Sequence, residues 1–369
     1  MHRFTADLLQ WWAQNKRNLP WKNTTDPYLI WLSEVILQQT RVEQGLPYYL
    51  RFIEACPTLT HLANMPTDAV MRLWEGLGYY SRARNLLQTA RIIANELQGV
   101  FPDTYDGLLA LKGIGAYTAA AIASFAYNLP HAVVDGNVYR VLARYLGIET
   151  PIDSTVGKKQ FAQAAQILLE GAPPAHFNQA IMDFGALQCV PLNPNCNNCP
   201  LQTHCQAFLT NQVNRLPVKA KKIQRTDRFF HYFVMQYDDQ TLIHKRTGKD
   251  IWQDLWQFPV VETRQLHDFT SFTGHTQFHP EWLPNNFLQL VRQVSPIFRQ
   301  QLTHQTVFAC FYELPLHPQT HLLPADWLKM PNNELSQYAF PKIINLYLSQ
   351  QQQVQNEQKN NGQQIRLLF

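Results

Sequence analysis

The sequence predicts a multi-domain chain, with a mostly α-helical first domain and an α+β second one. Three observations carry this. At 369 residues the chain exceeds what one hydrophobic core usually serves. Up to about residue 215, apolar residues recur at helical spacing in segments that Gly and Pro punctuate. After a short basic stretch the pattern turns aromatic and β-branched, with turn residues between the runs.

Asp26-Pro27 reads as a helix start, an acidic N-cap followed by proline at the first helical position, and the apolar stretch Tyr28 to Leu37 continues it. Further helices are predicted at Leu46–Ile53, Thr67–Trp74, Ser81–Leu97, Tyr105–Leu111, Ala116–Tyr127, Val138–Leu146 and Gly157–Leu169. In the second half, strands are predicted at Phe229–Tyr237, Thr241–His244, Trp256–Val261 and Thr306–Leu314, with a helix near Phe287–Gln293 or Pro341–Leu348. The expected division is a helical domain over 1–215, a basic linker over 216–228, a second domain over 229–348 and a Gln- and Asn-rich tail over 349–369. That composition predicts a disordered tail.

The formal net charge is only +4, and its placement matters more than its size. Residues 216–230 hold five Lys and Arg against one acid, while the flanking regions are nearly balanced. Such a segment suits either a polyanion or a solvated linker, so charge does not decide the function. No apolar run approaches the ~20 residues of a membrane span, and the start Met1-His2-Arg3-Phe4 lacks a secretory pattern. A soluble, cytoplasmic, monomeric protein is the expectation.

Four of the six cysteines, Cys189, Cys196, Cys199 and Cys205, fall within 17 residues in the form C-x6-C-x2-C-x5-C. A reducing compartment disfavours disulfides, so the group reads as a metal site, either a [4Fe–4S] cube or a tetrahedral zinc. Zinc sites usually pair two short knuckles, and only one is present here. Upstream, Leu111-Lys112-Gly113-Ile114-Gly115 lies between two helical runs, the pattern of a helix-hairpin-helix whose glycines bring bare N–H groups against a phosphate. Asp135, in Val134-Asp135-Gly136-Asn137, precedes another helix, and by itself it reads as an N-cap.

Hairpin, acid and cysteine loop in this order resemble the endonuclease III and MutY superfamily of DNA glycosylases over about 200 residues, which implies the iron–sulfur reading of the cysteines. Within it, Ser33-Glu34-Val35-Ile36-Leu37-Gln38-Gln39-Thr40 is similar to the SEVMLQQT segment of the MutY family, which removes adenine. The bifunctional branch carries a lysine two residues after the second hairpin glycine. Tyr117 stands there, so the resemblance implies no lyase nucleophile.

An acid at position 34 suits that chemistry, because breaking a purine N-glycosidic bond requires protonating the leaving base. On a helix Glu34 has Ile30, Trp31, Leu37 and Gln38 one turn away, a mostly apolar face that keeps its carboxyl protonated near neutrality. Asp135 is then the charged counterpart that stabilises the oxocarbenium-like sugar. The resemblance places Asn137 and Tyr117 beside the acid and the sugar. It gives Gln39 and Tyr79 as wedges that fill the gap left by the flipped base, and Gln179 as the reader of adenine. Lys22, with Gly113 and Gly115, is expected against DNA; the family usually has Arg at position 22.

In the second domain Phe298-Arg299-Gln300-Gln301-Leu302-Thr303-His304 resembles the family's F-R-H-x-F-S-H segment for 8-oxoguanine, with Leu302 in place of Phe and Thr303 in place of Ser. Trp252-Gln253-Asp254-Leu255-Trp256-Gln257-Phe258-Pro259 resembles the entry to its Nudix-like domain, yet no acidic Nudix box follows, so nucleotide hydrolysis is not expected. The implied partner is double-stranded DNA carrying adenine opposite 8-oxoguanine or guanine, in the nucleoid. Gln364 to Phe369 resembles the peptide that bacterial sliding clamps bind, a candidate docking motif on a tether. Two other readings are an endonuclease III-like enzyme acting on damaged pyrimidines and a DNA-binding protein without turnover.

Overall fold

The apolar segments of the first half form helices in the computed structural model, which describes residues 1–220, 224–265, 282, 287–315 and 323–366. In chain order the helices are α1 (Arg3–Asn15), α2 (Pro27–Leu37), α3 (Val42–Ala55), α4 (Leu59–Asn64), α5 (Thr67–Trp74), α6 (Ser81–Glu96), α7 (Tyr105–Leu109), α8 (Ala116–Tyr127), α9 (Gly136–Leu146), α10 (Thr155–Leu169), α11 (Pro174–Leu187) and α12 (Gln206–Leu209). There follow strands β1 (Thr226–Tyr237), β2 (Gln240–Lys245), β3 (Trp256–Gln257) and β4 (Val260–Thr263), then the short helix α13 (Phe287–Leu290). Strands β5 (Gln293–Val294), β6 (Phe298–Gln301), β7 (Gln305–Pro315) and β8 (Leu328–Pro331) and helix α14 (Lys342–Arg366) complete the chain. Contacts divide it into two units, Met1–Met65 with Arg84–Lys222, and Pro66–Ala83 with Ile223–Phe369. Residues 66–83, expected in the helical domain, thus group with the second.

In the first unit α2 is buried along nearly its whole length, from Tyr28 and Ile30 through Ile36. Asp26 caps it, accepting from the Tyr28 N–H at 2.8 Å, with Pro27 following. A helix buried all round carries its one carboxylate, Glu34, into the interior. Elsewhere Phe4, Leu8 and Trp12 of α1 pack with Val141 of α9, Phe161 of α10 and Phe184 of α11. The helices α1, α4, α11 and α12 were not expected from the sequence.

Among the described residues the second unit holds an eight-stranded mixed sheet, ordered β3-β2-β1-β7-β5, with β4 on β1, β6 on β7 and β8 on β2. Its centre is the parallel pair β1 and β7, in register from Thr226 against Gln305 to Gln236 against Pro315. Strands β6 and β7 form an antiparallel hairpin around Leu302-Thr303-His304. The strand expected over Trp256–Val261 is two strands, because Pro259 has no N–H for a ladder. On one face Tyr347 of α14 stacks on Phe311 with ring centroids 4.1 Å apart.

The tail expected to be disordered continues α14 as far as Arg366. Gln, Glu and Lys are good helix formers, and extending an existing helix avoids a new nucleation step. In the candidate clamp peptide, Leu367, Leu368 and Phe369 lie outside the described residues, as do Lys221 and Lys222 of the linker. Among the described residues no helix is long and apolar enough to cross a membrane.

Candidate active site

Glu34 sits in the last turn of α2 with 6% of its surface exposed. The Tyr117 hydroxyl, from the first turn of α8, donates to its Oε2 at 2.7 Å. Burial pushes the Glu34 carboxyl up from 4.5 to about 7; the Tyr117 hydrogen bond and Lys22 oppose the rise, and the charge of Asp135 adds to it. Tyr117 is held neutral, its ionisation opposed by burial and by both carboxylates. Beside them Gln38 Nε2 donates to Thr118 Oγ1 at 3.2 Å, a further link between α2 and α8.

Asp135 is the N-cap of α9, as its position before a helix suggests on its own. Its Oδ1 accepts from the Val138 N–H at 2.8 Å and its Oδ2 from Asn137 Nδ2 at 2.9 Å. Burial raises its pKa, while these N–H donors and the Arg140 charge favour the ionised form. The two carboxyls therefore stand in unlike settings: Glu34 has a phenol and an apolar helix face, Asp135 a helix N-terminus and an amide. Glu34, Asp135, Tyr117 and Asn137 are thus gathered from α2, α8 and α9.

Two arginines escaped the sequence reading. Arg140 Nη2 donates to Asn137 Oδ1 at 2.9 Å and to the Gly185 carbonyl at 2.5 Å, and its Nε donates to the Cys189 carbonyl at 2.7 Å. One turn on, Arg144 donates to the carbonyls of Val190 and Pro191 and to Cys189 Sγ, the last at 3.4 Å. The signal available was their spacing, two arginines four apart on an amphipathic helix whose apolar face is buried. Asn178 was missed as well. Its amide, fully buried on α11, accepts from the Val133 N–H and donates to the His131 carbonyl, which fixes the segment leading to Asp135.

Cys189, Cys196, Cys199 and Cys205 line one cavity together with Phe184 and Arg144. Burial raises the thiol of Cys199 to about 12, and those of Cys196 and Cys205 also rise. Among the described residues no three His, Cys, Asp or Glu side chains are grouped to hold a metal ion directly.

The expected DNA-contacting residues divide. Gln39 and Tyr79 are exposed, and both have left-handed backbones, with φ of 55° and 46°. Non-glycine residues rarely adopt that conformation, and it costs about 1 kcal/mol or more. Gly113 turns the hairpin at φ 77°, while Gly115 has open space where a Cβ would sit. Gln179 is half-buried on α11. Thr303 and His304 share the β6–β7 turn, where Thr303 Oγ1 hydrogen-bonds the Tyr79 hydroxyl. Lys22 has a partner within the fold. Its ammonium is paired at 2.6 Å with both oxygens of Asp183, an acid that also accepts from Trp12 Nε1 at 2.9 Å. A buried acid needs a counter-charge, and Lys22 supplies it within the fold.

Two family models match parts of the chain. Residues 32–166 match the model of the HhH-GPD superfamily of base excision DNA repair proteins, and residues 231–350 match that of the NUDIX domain. An adenine DNA glycosylase of Buchnera aphidicola subsp. Baizongia pistaciae is 35% identical over 83% of this chain and 84% of its own length. That of Buchnera aphidicola subsp. Schizaphis graminum is 40% identical over 71% and 76%. Among solved structures, a thermostable thymine-DNA glycosylase superposes with a TM-score of 0.52 at 29% identity, covering 56% of this chain and 95% of that one. The chain belongs to the adenine DNA glycosylase family.

Proposed function

We propose that the chain is a monofunctional DNA glycosylase of base excision repair that removes adenine opposite 8-oxoguanine or guanine. The observation that carries this is the Glu34 carboxyl, buried, bonded to Tyr117 and raised to about 7. Such a group is substantially protonated at neutral pH and delivers its proton to N7 of an extruded adenine. The C1′–N9 bond then breaks with its electrons going to the base. Asp135, ionised and held by Asn137 and the α9 N-terminus, stabilises the cationic sugar until water adds at C1′. With Tyr117 at the lyase position, no Schiff base forms and the abasic strand stays intact.

Gln39 and Tyr79 act as wedges, their unusual backbones aiming exposed side chains at the duplex. Gln179 reads adenine, Gly113 and Gly115 take a phosphate, and Thr303 and His304 read the opposite base. Excision is assigned to residues 1–215 and recognition to 229–348, with 216–228 as linker, and residues 66–83 group with the recognition part.

Cys189, Cys196, Cys199 and Cys205 would hold a [4Fe–4S] cluster. The fit rests on four thiols around one cavity with the Arg144 cation against Cys189 Sγ. When bound, such a group supplies the ordering energy that a short proline-rich loop lacks. Gln364 to Phe369 is proposed as a sliding-clamp peptide; clamp binding that is unchanged without residues 364–369 would remove that partner. The enzyme is proposed to work as a soluble monomer in the nucleoid.

The test is a single-turnover incubation with duplexes that carry adenine opposite 8-oxoguanine, adenine opposite guanine, or thymine glycol. Strand scission only after alkali, and only in the first two, is the expected result. Direct scission, or action on thymine glycol, would favour the endonuclease III-like reading instead.

A further inference from the structure

Residues 66–83 lie in the first half of the chain, yet they group with the second unit. Three polar links tie them there. Glu75 Oε1 accepts from the Phe340 N–H at 2.9 Å and from Asn345 Nδ2 at 2.7 Å, at the start of α14. Lys245, at the end of β2, pairs with Asp68 at 2.6 Å. The Tyr79 hydroxyl bonds Thr303 Oγ1 in the β6–β7 turn. The Glu75 side chain is only 11% exposed, and a carboxylate beside a helix N-terminus is well placed for the free N–H groups there.

Glu75 is joined to Tyr79 by a tight turn. Gly76 and Gly78 have φ of 88° and 76°, values that a side chain would strain. Trp74 Nε1 donates to the Gly78 carbonyl at 2.9 Å, and the Gly76 N–H donates to the Tyr80 hydroxyl at 3.1 Å. The turn thus has its own internal bracing, and displacement of Glu75 carries Tyr79 with it.

We infer that Glu75 is a positioning residue that joins the wedge Tyr79 to the turn bearing Thr303, so that discrimination between 8-oxoguanine and guanine depends on it. The inference rests on the reading of Tyr79 and Thr303 given above. With the anchor in place, wedge and reading turn form one body, and energy gained at the lesion helps to drive wedge insertion. With the anchor cut, only the Tyr79–Thr303 bond and the Asp68–Lys245 pair hold the segment, the coupling weakens and the lesion's advantage shrinks.

The experiment compares Glu75→Ala, Asn345→Ala, Thr303→Val and the Glu75→Ala/Thr303→Val double variant by single-turnover excision of adenine opposite 8-oxoguanine and opposite guanine. Melting curves of each variant run beside it. Glu75→Ala should cut the preference for the 8-oxoguanine duplex by about tenfold, the size of one net hydrogen bond, and Asn345→Ala should act in the same direction. The double variant should lose little more preference than Thr303→Val alone, because coupled residues are not additive. A destabilisation without coupling would instead lower both rates alike and give additive effects, and that overturns the inference. So does a Glu75→Ala protein with unchanged preference. Failure of the unaltered protein to remove adenine from either duplex would overturn the functional reading itself, a result separable from these.

Discussion

Replacing Glu34 by Gln should make the protein more stable above neutral pH and leave it nearly unchanged in acid. The folded state holds the Glu34 proton up to about pH 7, whereas the ordinary value is 4.5. Between those two values the folded state binds more protons than the unfolded chain, so unfolding free energy falls as pH rises through the window. The penalty on the ionised form is about 3 kcal/mol in all, fully present only above the folded-state value. Gln removes that charge, is of similar size, and keeps an oxygen for the Tyr117 hydroxyl. Urea titrations of both proteins at about pH 8 and about pH 5 read the difference directly. The variant should gain stability of this order at the higher pH and little at the lower one. An equal difference at both pH values, or a loss at the higher, would refute the claim that burial raises this carboxyl.

Three further outcomes follow from the same geometry. Tyr117→Phe removes a hydrogen bond that favours ionised Glu34, so the alkaline fall of the excision rate should move to higher pH, as a pH–rate profile would reveal. Gly185→Ala would put a Cβ 2.6 Å from that of Asn137 and 3.1 Å from its carbonyl oxygen. Because Asn137 holds Asp135, excision should slow by at least tenfold, about the worth of one hydrogen bond to a charged group, in single-turnover assays with the fold checked by circular dichroism. Cys199→Ser should lower bound iron and visible absorbance together with the melting temperature; a variant with full iron content and an unchanged melt would count against a cluster on these four thiols.

What could be read in the sequence was local or periodic. The cap Asp26-Pro27 and the apolar run behind it located α2 and the burial of Glu34, because both signals lie within one helix. Asp135 was legible as an N-cap for the same reason. The partner of Lys22 was not, since Asp183 lies 161 residues away and sequence spacing carries no trace of that pairing. The backbones of Gln39 and Tyr79 were also hidden, because neither residue type signals a left-handed conformation. Arg140 and Arg144 belong to no local motif; they turn inward from α9, where the carbonyls of Cys189, Val190 and Pro191 need donors. For the Gln-rich tail composition suggests disorder, and the helix begun at Lys342 extends to Arg366.

In the proposed mechanism Glu34 donates the proton that releases the base. The most direct test of that step is the pH dependence of single-turnover excision from a duplex with adenine opposite 8-oxoguanine, for the unaltered protein and for Glu34→Gln. The rate should fall as pH rises past about 7, and the variant should bind the duplex but not cut the glycosidic bond at any pH. A Glu34→Gln protein that retains excision with the same pH profile would contradict it.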